Sequence, residues 1–146
     1  MKRIVSLLLF VLLCFGVSGC FFMPMTPDPE AWMEYTITKS NATCVEIYVS
    51  DLGDVDWKLI DLMERAKANG DLTYEISNGM ITSVEGKANA ADFSACWMLY
   101  TSDVEMSNAE WGTITVGEKT LGSAIVGAEA LPIAAGELYV WSYQSF

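Results

Sequence analysis

The chain has 146 residues, with 19 Asp and Glu against 8 Lys and Arg, a formal net charge of -11 and no histidine. A surface this acidic is repelled by nucleic acid and by anionic headgroups and gives no hint of a polyanion partner, so no nucleic acid is expected. The missing imidazole excludes Ser-His-Asp and Cys-His nucleophile arrangements and every histidine-bearing zinc site. A carboxylate-pair hydrolase passes this filter, but no spacing singles out such a pair. The expectation is a protein without catalytic activity that requires no cofactor.

Met1, Lys2 and Arg3 make a short positive start, and Ile4 to Val17 is apolar except for Ser6 and Gly16. This is the n-region and h-region of an export signal. Val17-Ser18-Gly19-Cys20 then resembles a lipobox, in which small residues admit the backbone to a peptidase and the cysteine thiol takes the lipid. Residues 1–19 are therefore expected to be a lipoprotein signal peptide. Cys20 is the lipidation site, and the domain sits at the cell surface or in the envelope. An uncleaved helix from Ile4 to Met23 is the alternative, since a span needs about 20 apolar residues. Either way the remainder lies outside the cytoplasm.

Three of the 4 prolines fall between Met23 and Glu30, so residues 20–40 read as a stiff lipid-anchored tether. Cleavage removes Cys14 and lipidation occupies Cys20, leaving Cys44 and Cys96. A disulfide in an oxidising compartment and two buried free thiols behaving as small apolar residues both remain open for that pair.

The domain is expected over 41–146. Thr43 to Val49 alternates as a half-buried strand. An acidic turn from Ser50 to Asp56 follows, with Asp56 as helix cap. Trp57 to Ala68 has helical spacing at Leu59, Ile60, Met63 and Ala66, closed by Asn69-Gly70. Leu72 to Ser77 and Met80 to Val84 form a hairpin on Asn78-Gly79. A polar loop from Gly86 to Ser94 leads to a buried strand, Ala95 to Thr101. The rest is Gly-rich, with a β-like piece at Thr113 to Val116 and a last strand from Glu137 to Tyr143. The fold class is α+β, with one helix packed on a mixed β-sheet and long Gly-rich loops.

Two features invite function. Asp51, Asp54 and Asp56 offer carboxylates to a divalent cation such as calcium, but without the spacing of an EF-hand loop; a solvated turn explains them as well. Tyr139, Trp141 and Tyr143 share one face of the last strand, with Leu138 and Val140 on the other. If the aliphatic pair faces the helix, the rings form an open platform for a flat apolar ligand, a sugar or a protein. Otherwise they are a core layer. Trp97, Tyr100, Trp111, Tyr139 and Trp141 are the candidate ligand contacts.

Several segments carry a resemblance in order along the chain. They are the strand ending at Val49, the helix with its Leu59-Ile60-Asp61-Leu62-Met63 centre, and Ile81-Thr82-Ser83-Val84-Glu85-Gly86. Trp97-Met98-Leu99-Tyr100 and Gly136-Glu137-Leu138-Tyr139-Val140-Trp141-Ser142-Tyr143 complete the set. With them the chain resembles the transcobalamin C-terminal-like family, the β-domain also found in intrinsic factor. The resemblance implies a β-grasp-like fold without catalysis and cobalamin or a related corrinoid as ligand, passed on to a transporter. In the animal proteins the domain grips cobalamin together with a large helical domain, for which this sequence has no counterpart. Many bacterial members are surface lipoproteins. Without histidine the chain offers no imidazole to cobalt. An envelope protein- or glycan-interaction module is the alternative, and the oligomeric state is open.

Overall fold

The computed structural model describes residues 32–146. The expected signal peptide, Cys20 and the proline-rich start of the tether lie outside the described residues. β1 (Met33–Asn41) and β2 (Cys44–Leu52) form an antiparallel hairpin. Asn41 Oδ1 closes its turn by accepting the Thr43 N–H at 2.7 Å. The expected domain boundary at residue 41 thus falls at the end of a strand already paired with the domain. The chain continues through α1 (Leu59–Asn69), β3 (Tyr74–Ser77), β4 (Met80–Val84) and β5 (Lys87–Ala88). It then forms β6 (Ala95–Thr101), β7 (Ser107–Val116), β8 (Lys119–Ala124) and β9 (Leu138–Ser145).

Six strands make one sheet in the order β1-β2-β9-β6-β8-β7, and β3-β4-β5 make a second, smaller one. The class is α+β as expected, but the expected mixed sheet is replaced by antiparallel pairing in every described ladder. Tight turns join β1 to β2 and β7 to β8, which permits only antiparallel neighbours. β9 then enters between β2 and β6 and runs opposite to both.

α1 opens on Asp61, whose Oδ2 accepts the Lys58 N–H at 2.8 Å. Asp56, the expected cap, instead pairs with Lys58 Nζ at 2.9 Å, and the helix starts two residues later than Trp57. Leu59, Leu62, Met63 and Ala66 recur at helical spacing and are all buried. Gly70 ends the helix, donating its N–H to Lys67 O at 3.1 Å. The helix and the small sheet cover one face of the large sheet. Their common core joins Leu62 and Met63 to Val45, Ile47, Tyr139 and Trp141 beneath, and to Tyr74, Ile81 and Val84 beside them. Burying one such aliphatic side chain contributes about 1.5–3 kcal/mol. The other face of the large sheet carries a smaller cluster of Tyr100, Leu121, Leu138 and Val140.

The turns of the small sheet explain its shape. Asn78-Gly79 and Glu85-Gly86 both place two successive residues at positive φ, the twist that suits a two-residue hairpin. Glu85 is held there by its own carboxylate, which accepts the Thr73 N–H at 2.7 Å and meets Lys39 Nζ of β1 at 2.9 Å. Burial pushes the Glu85 carboxyl up, but the Lys39 ammonium and the Thr73 N–H outweigh it and hold the group below its ordinary 4.5. A carboxyl depressed in the folded state stabilises above its unfolded value and loses that contribution as pH falls through the folded one. Lys39→Met is therefore expected to lower stability by about 0.2–1 kcal/mol at neutral pH. Denaturant curves for the two chains should converge as pH drops below 4.5. A gap unchanged at pH 3 would show that Lys39 acts through packing rather than charge.

Candidate functional site

β6 and β8 are paired only at Tyr100↔Ser123 and Thr101↔Gly122. On its other side β6 is paired with β9 along its whole length, from Ala95 to Thr101. Beyond Ser123 the chain therefore leaves β6, and a cleft of about 340 Å³ opens where the two part. Residues 97–99 of β6 and Trp141 of β9 form one side, residues 123–128 another, and residues 79–81 at the hairpin tip close the third. The lining is mostly apolar. Trp97, Leu99, Trp141, Ile81 and Val126 give its character, and Met80 and Ile125, 51% and 40% exposed, stand at the mouth.

Trp97 is fixed three ways. Its backbone N–H donates to Asn89 Oδ1 at 2.9 Å and its Nε1–H to Lys87 O at 2.7 Å. Its ring meets Tyr143 edge-on with centroids 5.5 Å apart. The same Asn89 donates through Nδ2 to Ile81 O at 3.0 Å, so one amide ties the hairpin wall to the sheet wall. Trp141 differs. Its Nε1 is buried and has no hydrogen-bond partner among the described residues. Buried indole N–H groups usually find an acceptor; among the described residues Trp57 Nε1, away from the cleft, shares this unpaired state.

The five aromatic candidates do not form one surface. Trp97 and Trp141 line the cleft and are each only 5% exposed. Tyr139 is fully buried in the main core. Its hydroxyl accepts the Ala134 N–H at 2.9 Å, and burial pushes it up to about 12, so it stays neutral and is occupied. Tyr100 belongs to the opposite cluster, because successive β6 side chains alternate between faces. One small ligand therefore does not touch both Trp97 and Tyr100. Trp111 lies elsewhere again. Between Asn108↔Ser123 and Thr113↔Gly122 the residues 109–112 loop out of register, and Trp111 in that bulge is 63% exposed. Gly122 permits the crossing, since a side-chain carbon there would lie 3.0 Å from Ser107 Cβ.

The open aromatic platform is thus overturned. Tyr139 and Trp141 face the helix side, while Leu138 and Val140 lie on the other face. Cys44 and Cys96 are both free thiols. β9 separates their strands, which puts the two backbones about 10 Å apart, outside the reach of a disulfide of about 7 Å. Burial, with Glu46 beside it, pushes the Cys44 thiol up and keeps it protonated. The acidic turn is not gathered into a site either. Asp51 Oδ1 turns back to the Leu52 N–H at 2.7 Å and Asp56 pairs with Lys58. Among the described residues no cluster of three or more Cys, Asp or Glu is arranged to hold a metal ion. None of the described helices is long and apolar enough to cross a membrane.

Sequence reasoning missed Met80, Ile81 and residues 123–128. The small residues Ala124, Gly127 and Ala128 hint at a close approach there, but only the tertiary fold brings the hairpin tip over β6. No protein-family model, no curated protein and no solved structure matches the chain.

Proposed function

We propose that the chain is a non-enzymatic capture module of the transcobalamin C-terminal-like type, with a β-grasp-like domain anchored outside the cytoplasm through a lipid on Cys20. Its role is to hold a small, mainly apolar ligand, with a corrinoid as leading candidate, and to pass it to a transporter. The observation that carries this reading is the apolar cleft floored by Trp97 and Trp141. Its volume lies at the small end of ligand sites, which run from about 300 to 1,000 Å³. A cleft of that size admits a peripheral arm or an edge of a corrinoid and leaves the macrocycle outside, resting on Met80 and Ile125.

The test is calorimetric titration with cyanocobalamin of residues 20–146, carrying Cys20→Ser and containing every described element. Saturable binding at micromolar or lower Kd, weakened at least tenfold in Ile81→Ala, is the expected result. A flat titration would sink the corrinoid assignment. It would favour the second reading, an envelope protein- or glycan-interaction module presenting the exposed Trp111 on its bulge.

A further inference from the structure

The edge of β6 that faces the cleft carries a gap in its backbone hydrogen bonds. Successive residues of an antiparallel strand turn their N–H and C=O groups alternately to one neighbour and to the other. Ser102, one residue past β6, donates its N–H to Leu138 O, so the even-numbered residues face β9. Trp97 N–H donates instead to Asn89 Oδ1, so Trp97 and Leu99 turn away from β9, toward the cleft they line. Along that edge Ala95 O accepts the Ala90 N–H at 2.8 Å, Asn89 takes the Trp97 N–H, and β8 takes over at Tyr100 and Thr101. Between these, Trp97 C=O and Leu99 N–H have no ladder or turn partner among the described residues.

Met98 lies between the two open groups. Its side chain packs on the cluster of the opposite face, so Met98 meets the cleft through its main chain. A carbonyl and an N–H that flank one residue are the pair with which a strand holds a single residue of a parallel neighbour. That residue donates its N–H to the first and accepts from the second through its C=O. Ile81, Val126 and Trp141 surround the gap with apolar surface, and none of the lining residues bears a charge. A charged group would shed its hydration there without a counter-charge, in a chain of net charge -11.

We infer that the cleft recognises an uncharged amide-bearing group, such as one extended apolar residue, whose N–H donates to Trp97 O and whose C=O accepts from Leu99 N–H. Main-chain bonds of this kind supply affinity, and the pocket beside them selects the side chain. The inference rests on the cleft being a ligand site, but not on the ligand being a corrinoid. A short peptide and a peripheral amide arm of a corrinoid share this chemistry.

The test uses ¹³C,¹⁵N-labelled residues 20–146 with Cys20→Ser, assigned sequentially. In the free chain the Leu99 amide hydrogen is expected to exchange with solvent at least tenfold faster than those of Met98 and Tyr100, which face β9. N-acetyl-leucine methylamide is expected to bind saturably, with Kd on the order of 1 mM, and to move the Leu99 N–H resonance downfield. Its analogue with an ester oxygen in place of the leucine N–H should bind about tenfold more weakly, because Trp97 O then meets a lone pair. N-acetyl-aspartate methylamide, of similar shape but charged, should bind more weakly still.

Exchange at Leu99 as slow as at Met98 removes the gap and overturns the inference. Equal binding of the three compounds, or binding that leaves the Leu99 resonance unmoved, overturns the amide assignment while the cleft remains a site. Movement of the same resonance by cyanocobalamin would make a corrinoid arm the source of the amide. A flat cyanocobalamin titration beside binding of the leucine amide would retain this inference, favour a peptide and discard the corrinoid. If no compound moves Leu99 or the methyl groups of Ile81 and Val126, the cleft itself is not a site and the inference falls with it.

Discussion

Trp97→Ala is expected to lower the unfolding free energy by about 3–5 kcal/mol, the range for deleting a buried tryptophan. The side chain is 5% exposed, and its loss removes the bond from Nε1 to Lys87 O and the edge-on contact with Tyr143. It also leaves a void continuous with the cleft. Trp97→Phe keeps an aromatic edge near Tyr143 and should lose less, with the unpaired Lys87 carbonyl as one part of the difference. Urea denaturation followed by circular dichroism reads both variants. A loss below about 1 kcal/mol for the alanine variant would mean that the indole is not the packed wall described above.

Asn89→Ala carries the second large effect, about 2–4 kcal/mol. Two backbone groups lose their partners at once, the Trp97 N–H and the Ile81 carbonyl, and each costs about 1–3 kcal/mol if left unmet away from water. Asn89→Asp keeps an acceptor for Trp97 N–H but presents no donor to Ile81 O, so its loss should fall between wild type and alanine. The amide hydrogen of Trp97 should exchange with solvent faster in Asn89→Ala than in Asn89→Asp. Equal exchange in all three chains would remove Asn89 as the strut between the two walls.

Much of this fold is legible locally. The hairpin on Asn78-Gly79 is read correctly because turn chemistry is decided by two residues. The strand at Ala95–Thr101 is read in register because its apolar run is bounded by polar loops on both sides. The helix is read within two residues of either end; its start is displaced because Asp61, not Asp56, reaches back to a backbone N–H. β1 is not read as a strand. It sits at the sheet edge, its inward Tyr35 and Ile37 interleaved with exposed Glu34, Thr36 and Thr38, and it follows the prolines too closely to stand apart. β7 is read only as the fragment Thr113 to Val116, because the four-residue bulge breaks the alternation that identifies a strand, and β8 is not read.

The site is legible in part for a related reason. Alternation along the last strand separates Tyr139 and Trp141 from Leu138 and Val140, yet both sets are apolar, so periodicity alone cannot say which one meets the helix. Trp97 and Trp141 are recoverable as candidates from their residue type. That they share a cleft with Ile81 and Val126 depends on a hairpin folding back over β6, a contact between segments far apart in sequence.

The position of β9 has a bearing on how the molecule is made. Every other described element precedes it in the chain, yet it is the strand that joins β2 to β6. Until residues 138–145 arrive, β1-β2 and β6-β8-β7 have no strand that pairs with both. Closing the sheet then means threading one strand between two others, one of them nearly a hundred residues upstream, the kind of non-local pairing that slows folding to milliseconds or longer.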